Sequence, residues 1–257
     1  DKFILYERSV QSPDVDVRFL SRRFKQVNGQ PLRSFREDFC GTARLCCEFV
    51  KLHRDNQAVG VDLHGPTLDW ARQNSLADIK PKQRERIELL QEDVRTVRTR
   101  KVDVVAAMNF SYSIFKTRDE LRGYMKNTHR ALRPGGLFFM DAWGGAQSME
   151  LMEEKTPHGD FTYVWDQDAF DPVSHDITCR IHFKFKDGSK MRNAFVYEWR
   201  LWTLPELREL LLEAGFHDVH VLWEMTDRET NEGNGVFRRV SKGEADPAWV
   251  AYVVGQA

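Results

Sequence analysis

From Ser34 to about Trp143, short apolar runs alternate along the chain with longer segments that carry one apolar face. The order begins with SFREDF as a strand, TARLCCEFVKLHR as a helix, AVGVDL as a strand and GPTLDWARQNSLADI as a helix. It continues with the strands RIELLQED and VDVVAAMNF, the helix RDELRGYMKNTHRALR and the strand LFFMDAW. Because parallel strands need a crossover between them, usually a helix, this alternation predicts a doubly wound, mostly parallel α/β sheet.

The pattern changes after this region. Residues 158–202 carry three strand-like segments with no helix between them, FTYVWDQDAF, HDITCRIHFKFKDGSK and NAFVYEWRLW, and the second ends in a hairpin signal. We predict an antiparallel insertion there. A helix follows, capped by Thr203 and ending at Gly215. The strands HDVHVLWEM and WVAYVVG then bring the main sheet to seven strands.

Two further segments flank this core. Residues 1–33 are expected to form a helical preface over the mouth of the sheet, and residues 34–257 form the main domain. The connection from about Thr226 to Pro247 is charged and contains glycine, so it is expected to be a lid or a disordered loop.

Charge and hydropathy limit the partners. With 38 Lys and Arg against 39 Asp and Glu, no global positive field draws the chain to nucleic acid, although a local basic patch stays open. No stretch approaches the ~20 apolar residues of a membrane span, and the start lacks the regions of a secretory signal. We therefore expect a cytoplasmic protein without nucleic-acid or membrane partners. The four cysteines lack metal-ligand spacing, so no metal is expected.

The turns after the first two strands are where a ligand is expected, since ligands bind beyond the carboxyl ends of parallel strands. In the turn after the first strand, Gly41 lets the backbone approach a ligand, and a helix beginning near Thr42 offers free N–H groups. The second strand ends at Asp62, where Rossmann-type folds bind ribose hydroxyls. The alternative interpretation of Asp62 is a cap for the following helix.

Five segments carry a resemblance to a known family. EDFCGT, VGVDL, QEDV, MNFSYS and LRPGGLFFMD, in this order and spacing, resemble the class I S-adenosylmethionine-dependent methyltransferases over about Ser34 to Asp141. Small-molecule N-methyltransferases of the glycine and sarcosine type are the most similar members, since they too place Cys-Gly-Thr in the first motif. The resemblance implies a Rossmann-like fold, S-adenosylmethionine as cofactor and a small-molecule methyl acceptor.

The resemblance also implies cofactor contacts. Glu37 and the backbone of residues 40–42 are expected to hold the methionine part, and Asp62 the ribose. Asp93 and Val94 are expected to contact the adenine, although a surface cap is the alternative for Asp93. The complete set, whose last two members line the cofactor near its sulfonium, is Glu37, Phe39, Cys40, Gly41, Thr42, Asp62, Leu63, Asp93, Val94, Met108 and Asn109.

The glycine pattern of the first motif departs from that of the family. The first motif usually has three alternating glycines, but here Phe39 and Ala43 take the outer two places and only Gly41 remains. Phe39 must therefore point away from the cofactor or reshape the pocket. The same departure argues against a nicotinamide dinucleotide, whose pyrophosphate needs the close approach that G-x-G-x-x-G provides.

Substrate contacts are expected after the fourth and fifth strands and in the insertion. Transfer from a sulfonium requires alignment of nucleophile and methyl and the exclusion of water, so few residues need act as acid or base. No histidine stands in a motif position. The candidates for catalytic contact are Asn109, Tyr112, Tyr197 and Arg200, with Asp141, Trp143 and Glu224 as further contacts.

Alternatives remain for the insertion and for the function. The insertion either covers a small substrate or pairs two subunits of a homodimer through an exposed edge. Its rings either form a cage for a cationic amine or pack as core. The competing functions are a protein or RNA methyltransferase and a non-catalytic cofactor-binding or scaffold protein of the same fold. The rings in question are Phe161, Tyr163, Trp165, Phe170, Tyr197, Trp199 and Trp202.

Overall fold

The computed structural model describes residues 1–10, 12–227, 229–230 and 233–257. In chain order the strands are β1 (Ser34–Asp38), β2 (Gln57–Asp62), β3 (Ile87–Gln91), β4 (Val102–Ala107), β5 (Leu132–Gly144), β6 (Met152–Pro157), β7 (Phe161–Phe170), β8 (Asp176–Phe185), β9 (Lys190–Arg200), β10 (His217–Thr226), β11 (Gly233–Val240) and β12 (Trp249–Gln256). The α-helices are α1 (Lys2–Val10), α2 (Pro13–Asn28), α3 (Arg44–Leu52), α4 (Gly65–Gln73), α5 (Pro81–Arg84), α6 (Arg118–Ala131) and α7 (Leu204–Glu213). None of these helices is long and apolar enough to cross a membrane.

The larger sheet has the strand order β11-β10-β12-β5-β4-β1-β2-β3. Strands β1 to β5 are parallel, and β12 runs antiparallel between β5 and β10. The predicted Rossmann-like α/β fold with a mostly parallel sheet is confirmed. Both faces of the sheet are covered by helices, which explains why every residue of β1 and β4 is buried.

The sheet has eight strands instead of the predicted seven. The additional strand, β11, lies inside the connection that the sequence analysis predicted to be a lid or a disordered loop, and it pairs antiparallel with β10. Phe237 fixes it to the core by packing on Phe19 of α2 and on Tyr252 of β12, with ring centroids 5.6 and 4.7 Å apart. Residues 228, 231 and 232 of the same connection lie outside the described residues.

The smaller sheet is an antiparallel meander of β6, β7, β8 and β9. It begins at Met152, earlier than residue 158, where the sequence analysis placed the start of the insertion. Strand β6 has the sequence MEEKTP, which lacks the alternation of apolar and polar residues typical of a half-buried strand. Its structure is therefore determined by pairing with β7, which runs from Met152 opposite Gln167 to Pro157 opposite Thr162.

The last residues of β1 are held by a buried ion pair. Arg36 and Asp38 lie two residues apart on the same face, with Nε to Oδ1 at 2.6 Å and Nη2 to Oδ2 at 3.0 Å. Both side chains are fully buried, and the hydroxyl of Tyr124 donates to Asp38 Oδ2 at 2.8 Å. Removing one partner of such a pair typically costs 3–5 kcal/mol. This network fixes the backbone that leads into the loop at residues 39–43.

Helix α1 connects the two sheets. On the side of the larger sheet, Trp70 Nε1 donates to the carboxylate of Asp1 at 2.8 Å, and Arg44 pairs with Glu7 at 2.9 Å. On the side of the smaller sheet, Tyr6 packs on Phe195 with ring centroids 4.9 Å apart. The first residues of the chain thus contact both the larger and the smaller sheet.

Candidate functional site

A cavity of about 810 Å³ lies between the carboxyl edge of the larger sheet and the inner face of the smaller sheet. Its floor comes from residues that follow β4, end β5 and β10, or begin β12, all of which lie at this edge. Its roof comes from alternate residues of β7 and β9, because successive side chains of a strand point to opposite faces. The size is typical of a pocket for a small organic ligand.

Four aromatic residues form one wall of this cavity, and we call Trp143, Trp165, Tyr197 and Trp199 the aromatic wall. Trp165 lies 6.3 Å from Trp143 and 6.2 Å from Tyr197, and Tyr197 stacks on Trp199 at 4.4 Å, measured between ring centroids. Stacking within the wall leaves a continuous aromatic surface and not a closed cage. Of the other rings considered for a cage, Tyr163 also lines the cavity.

The rings of Phe161, Phe170 and Trp202 do not line it. Phe161 packs in the core between the smaller sheet and α1, with Phe183 at 5.6 Å. Trp202 is buried in the core of the larger sheet, where its Nε1 donates to the carbonyl of Phe115 at 3.0 Å. The aromatic residues of the insertion therefore divide between site and core.

The charge of the cavity is one-sided. Five carboxylic residues line it and, among the described lining residues, there is no Lys, Arg or His. Nor does any group of described residues form a metal-binding cluster. A cavity of this charge favours an organic cation. The five are Asp16, Asp141, Glu154, Glu224 and Asp246.

Two of these carboxyl groups have perturbed protonation. Burial raises the pKa of Asp16 to about 6, and the nearby Asp14 adds to the rise. Burial also raises the pKa of Asp141 to about 7, although backbone N–H groups act in the opposite direction. Both groups can thus change protonation near neutral pH.

The turn after β4 is held by Asp141. Its Oδ2 accepts the backbone N–H of Asn109 at 2.6 Å, and its Oδ1 accepts that of Phe110 at 2.9 Å. Both turn residues have left-handed backbones, with φ of 57° and 56°. Met108, Asn109 and Phe110 line the cavity, so this turn forms its boundary toward the parallel strands.

The loop after β1 has positive φ at all three positions of the glycine motif, although only Gly41 is a glycine. Phe39, Gly41 and Ala43 all have positive φ, at 56°, 50° and 58°. Such a backbone costs a residue other than glycine roughly 1–2 kcal/mol. The Phe39 ring packs on Phe115 and Tyr124, at 5.9 and 5.6 Å, and therefore points into the core. The ring of Phe39 is thus held by the core of the larger sheet.

Asp62 is tied to the same loop. Its Oδ2 accepts the N–H of Gly41 at 2.8 Å, and its Oδ1 accepts the N–H of His64 just before α4. The carboxylate thus orients the loop and also caps the approach to the helix. Leu63 beside it is 66% exposed, and a Cβ placed on Gly41 would meet no atom within 4 Å. Open space therefore adjoins the ends of β1 and β2.

Three other cofactor candidates, at the end of β1 and in this loop, are buried. Glu37 accepts the N–H of Cys46 at 3.1 Å beneath α3, and burial raises its pKa to about 8. Cys40 is buried close to Gly60 of β2. Thr42 has a buried Oγ1 for which the described residues provide no hydrogen-bond partner. Glu37 therefore supports α3 from below, whereas Thr42 keeps an unused polar atom beside Gly41.

The candidates after β3 make internal contacts. Asp93 forms an ion pair with Arg95 at 2.6 Å, which holds the pKa of Asp93 below its usual range. Val94 is buried, and its carbonyl accepts a hydrogen bond from Asn127 at 2.9 Å.

Two of the four catalytic candidates do not line the cavity. Arg200 lies over the ring of Trp202 at 3.9 Å and bonds to Glu206 and to the carbonyl of Lys116. Arg200 follows Trp199 on β9, and Trp199 lines the cavity, so the side chain of Arg200 points to the opposite face of the strand. The hydroxyl of Tyr112 donates to the carbonyl of Asp141 at 2.8 Å from a buried position. Tyr112 therefore supports the turn after β4, whereas Asn109 and Tyr197 do line the cavity.

Sequence reasoning missed three carboxylates of the cavity. Asp16 lies in the first turn of α2, where an acidic residue is usually explained by the helix dipole. Glu154 lies on the unpredicted strand β6, and Asp246 lies in the loop before β12. None stands in a motif, and only the packing of the two sheets brings them to one space.

Comparison with known proteins shows which proteins this chain is similar to. Residues 40–138 match the family model of a methyltransferase domain. An S-adenosylmethionine-dependent methyltransferase from Clostridium acetobutylicum has a similar structure, with a TM-score of 0.70 and 17% identity, covering 98% of this chain and 96% of that one. Comparison with curated protein sequences gives no significant match.

Two further solved structures are similar. An amino pentose methyltransferase from Micromonospora echinaspora, solved with S-adenosylmethionine bound, has a TM-score of 0.67 and 14% identity, covering 97% of this chain and 94% of that one. A sugar N-methyltransferase from a Streptoalloteichus species has a TM-score of 0.65 and 16% identity, covering 98% and 91%. At these identities the likeness establishes a shared fold.

Proposed function

We propose that this chain, whose residues 40–138 match the family model of a methyltransferase domain, is an S-adenosylmethionine-dependent methyltransferase that transfers a methyl group to the nitrogen of a small cationic amine. The observation that carries the choice of acceptor is the cavity, which combines five carboxylic residues with an aromatic wall and, among described residues, no basic side chain. Carboxylates attract an ammonium group, and aromatic faces stabilise it by cation–π interaction.

The residues at the ends of β1 and β2 fit the cofactor. Gly41 has open space in front of it, Thr42 has an unused buried hydroxyl oxygen, and Asp62 presents a carboxylate beside the exposed Leu63. Residues 41 and 42 would hold the amino-acid part, Asp62 the ribose and Leu63 the adenine. When bound, S-adenosylmethionine supplies a methyl group on an activated sulfonium.

The remaining chemistry falls to residues of this chain. An amine attacks only as the neutral form, so the ammonium group that enters must lose a proton. Asp16 is suited to accept it, because its carboxylate lines the cavity and has a pKa of about 6. The Asn109–Phe110 turn, held by Asp141, orients the amine, and the roof of β7 and β9 excludes water.

The cavity also bears on the competing acceptors. An amino acid such as glycine needs a basic group for its carboxylate, and the described lining residues provide none. Phosphates of RNA would meet five carboxylic residues of like charge. A small acceptor with a basic nitrogen is therefore favoured over glycine, over RNA and over a simple hydroxyl compound. The sugar N-methyltransferase and amino pentose methyltransferase among the similar structures support this choice.

Two measurements test the proposal. The first is the thermal midpoint with S-adenosylhomocysteine, comparing wild type with Asp62→Ala and with Asp69→Ala, a matched change at an exposed carboxylate of α4 that pairs with Arg72. Ligand at a hundred times its Kd adds about 2.7 kcal/mol, or roughly 5–10 °C for a chain of this size. We expect that shift in wild type and Asp69→Ala and its loss in Asp62→Ala.

The second measurement is methyl transfer to a panel of amines, followed by mass spectrometry. Protein free of retained ligand that shows no shift with either S-adenosylmethionine or S-adenosylhomocysteine is not a methyltransferase. A shift accompanied by methylation of hydroxyl compounds and of no amine would refute the choice of nitrogen.

A further inference from the structure

Strand β6 carries two adjacent carboxylates that face opposite sides of the smaller sheet. Glu153 faces outward and pairs with Lys155 at 3.2 Å and with Lys184 at 3.7 Å. Glu154 faces inward and lines the cavity, opposite Trp165 of β7 in the strand register. Within the described part of the chain, no hydrogen bond or ion pair reaches the Glu154 carboxylate.

Glu154 is separated from Asp16, Asp141 and Glu224 by the aromatic wall. Asp16, Asp141 and Glu224 act together on the hydroxyl of Tyr252, whose pKa they and burial raise, so they share the end of the cavity at the larger sheet. From there, Phe110 lies 5.9 Å from Trp143, and Trp143 lies 6.3 Å from Trp165, measured between ring centroids. The rings of Trp143 and Trp165 thus lie between the turn after β4 and the paired strands β6 and β7, where Glu154 lies.

We propose that the acceptor carries two cationic nitrogens joined by an apolar chain, with one nitrogen at the Asn109–Phe110 turn and the other against Glu154. This inference rests on the proposed N-methylation and adds the second charge. The aromatic wall between the two ends matches an apolar spacer, because its rings present faces and edges without charge. A phosphate or carboxylate at the far end would meet Glu154 with no basic group among the described lining residues.

The test uses three compounds of equal length: 1,8-diaminooctane, octylamine and 8-aminooctanoate. Their binding to the full chain saturated with S-adenosylhomocysteine is measured by calorimetry, and kcat and KM are measured with S-adenosylmethionine. We expect the diamine to bind about tenfold more tightly than octylamine, and 8-aminooctanoate to bind most weakly. Glu154→Gln weakens the diamine about fivefold, equivalent to about 1 kcal/mol, through KM and not kcat, and leaves octylamine unchanged.

Glu153→Gln is the matched control, because it makes the same change on the neighbouring residue that faces outward. It leaves all three affinities as in wild type. Equal affinity for diamine and octylamine, or equal effects of the two substitutions, overturns the inference. If the inference is overturned but the wild-type enzyme still methylates octylamine, the proposed N-methylation stands. If S-adenosylhomocysteine does not bind at all, the proposed function itself is refuted.

Discussion

The carboxylate of Asp141 accepts the backbone N–H of Asn109 at 2.6 Å, and this bond connects the end of β5 to the turn that follows β4. The second oxygen of the same carboxylate accepts the N–H of Phe110. One side chain thereby fixes two consecutive residues in the left-handed region, where a residue other than glycine is strained. The position of the proposed acceptor nitrogen therefore depends on a residue of the neighbouring strand.

Asp141→Asn tests this dependence. An amide has only one acceptor oxygen, so one of the two N–H groups loses its partner, at a cost of about 1–3 kcal/mol. We expect the free energy of unfolding, measured in urea, to fall by that amount and kcat to fall at least tenfold. Unchanged kcat in a destabilised variant would show that the turn supports the fold without orienting the acceptor.

Gly41→Ala separates binding from folding. An added Cβ at Gly41 meets no neighbouring atom, so its effect on folding is backbone strain of about 1–2 kcal/mol. Gly29→Ala is the control, since this residue also has positive φ and open space but lies at the end of α2. Both variants should lose similar stability, while only Gly41→Ala weakens S-adenosylhomocysteine in calorimetry, by at least tenfold. Equal affinities in the two variants would place the cofactor away from Gly41.

Asp16 predicts a pH dependence. Its carboxylate form, which binds the ammonium group and takes its proton, forms as the pH rises through the pKa of about 6. The ratio of kcat/KM in wild type to that in Asp16→Asn should therefore rise between about pH 5 and 7 and then level off. This ratio cancels the ionisation of the substrate, which both enzymes share. It does not cancel that of Asp141, because Asp16 raises the pKa of Asp141 in the wild type.

Asp14→Asn serves as the control for that profile. It changes a carboxylate of the same helical turn but keeps the one at residue 16, so kcat/KM should still rise with pH. The rise should move to slightly lower pH, because Asp14 no longer raises the pKa of Asp16. A flat ratio for Asp16→Asn would assign the proton to another group of the cavity.

The part of the fold that sequence predicted is the part with strong periodicity. Strands such as VDVVAA are buried on both faces, and their apolar, β-branched composition predicts a strand. Thr203 caps α7 as predicted, and in the structure it forms a capping box with Glu206. Strands β6 and β11 were not predicted, because their residues are charged, small or exposed. Pairing with a neighbouring strand, and not local preference, makes them strands.

The site was predictable only where a motif marks a strand end. Gly41, Asp62 and Asn109 follow from the order of elements along the chain. The carboxylate of Glu154 does not, because it reaches the cavity only through the way in which the two sheets pack, and no motif marks it. Arg200 shows the converse: it follows Trp199 on β9, so alternation places the two side chains on opposite faces, and only Trp199 lines the cavity.

Phe39 gives the first loop a property that glycine would not. A glycine there would reach the same φ without strain, but it would leave the loop free to explore other shapes in the absence of ligand. The ring of Phe39, wedged against Phe115 and Tyr124, removes that freedom before any ligand arrives. The loop therefore loses less conformational entropy when a ligand binds. The backbone strain at Phe39 is offset by a binding site that is already ordered before the ligand arrives.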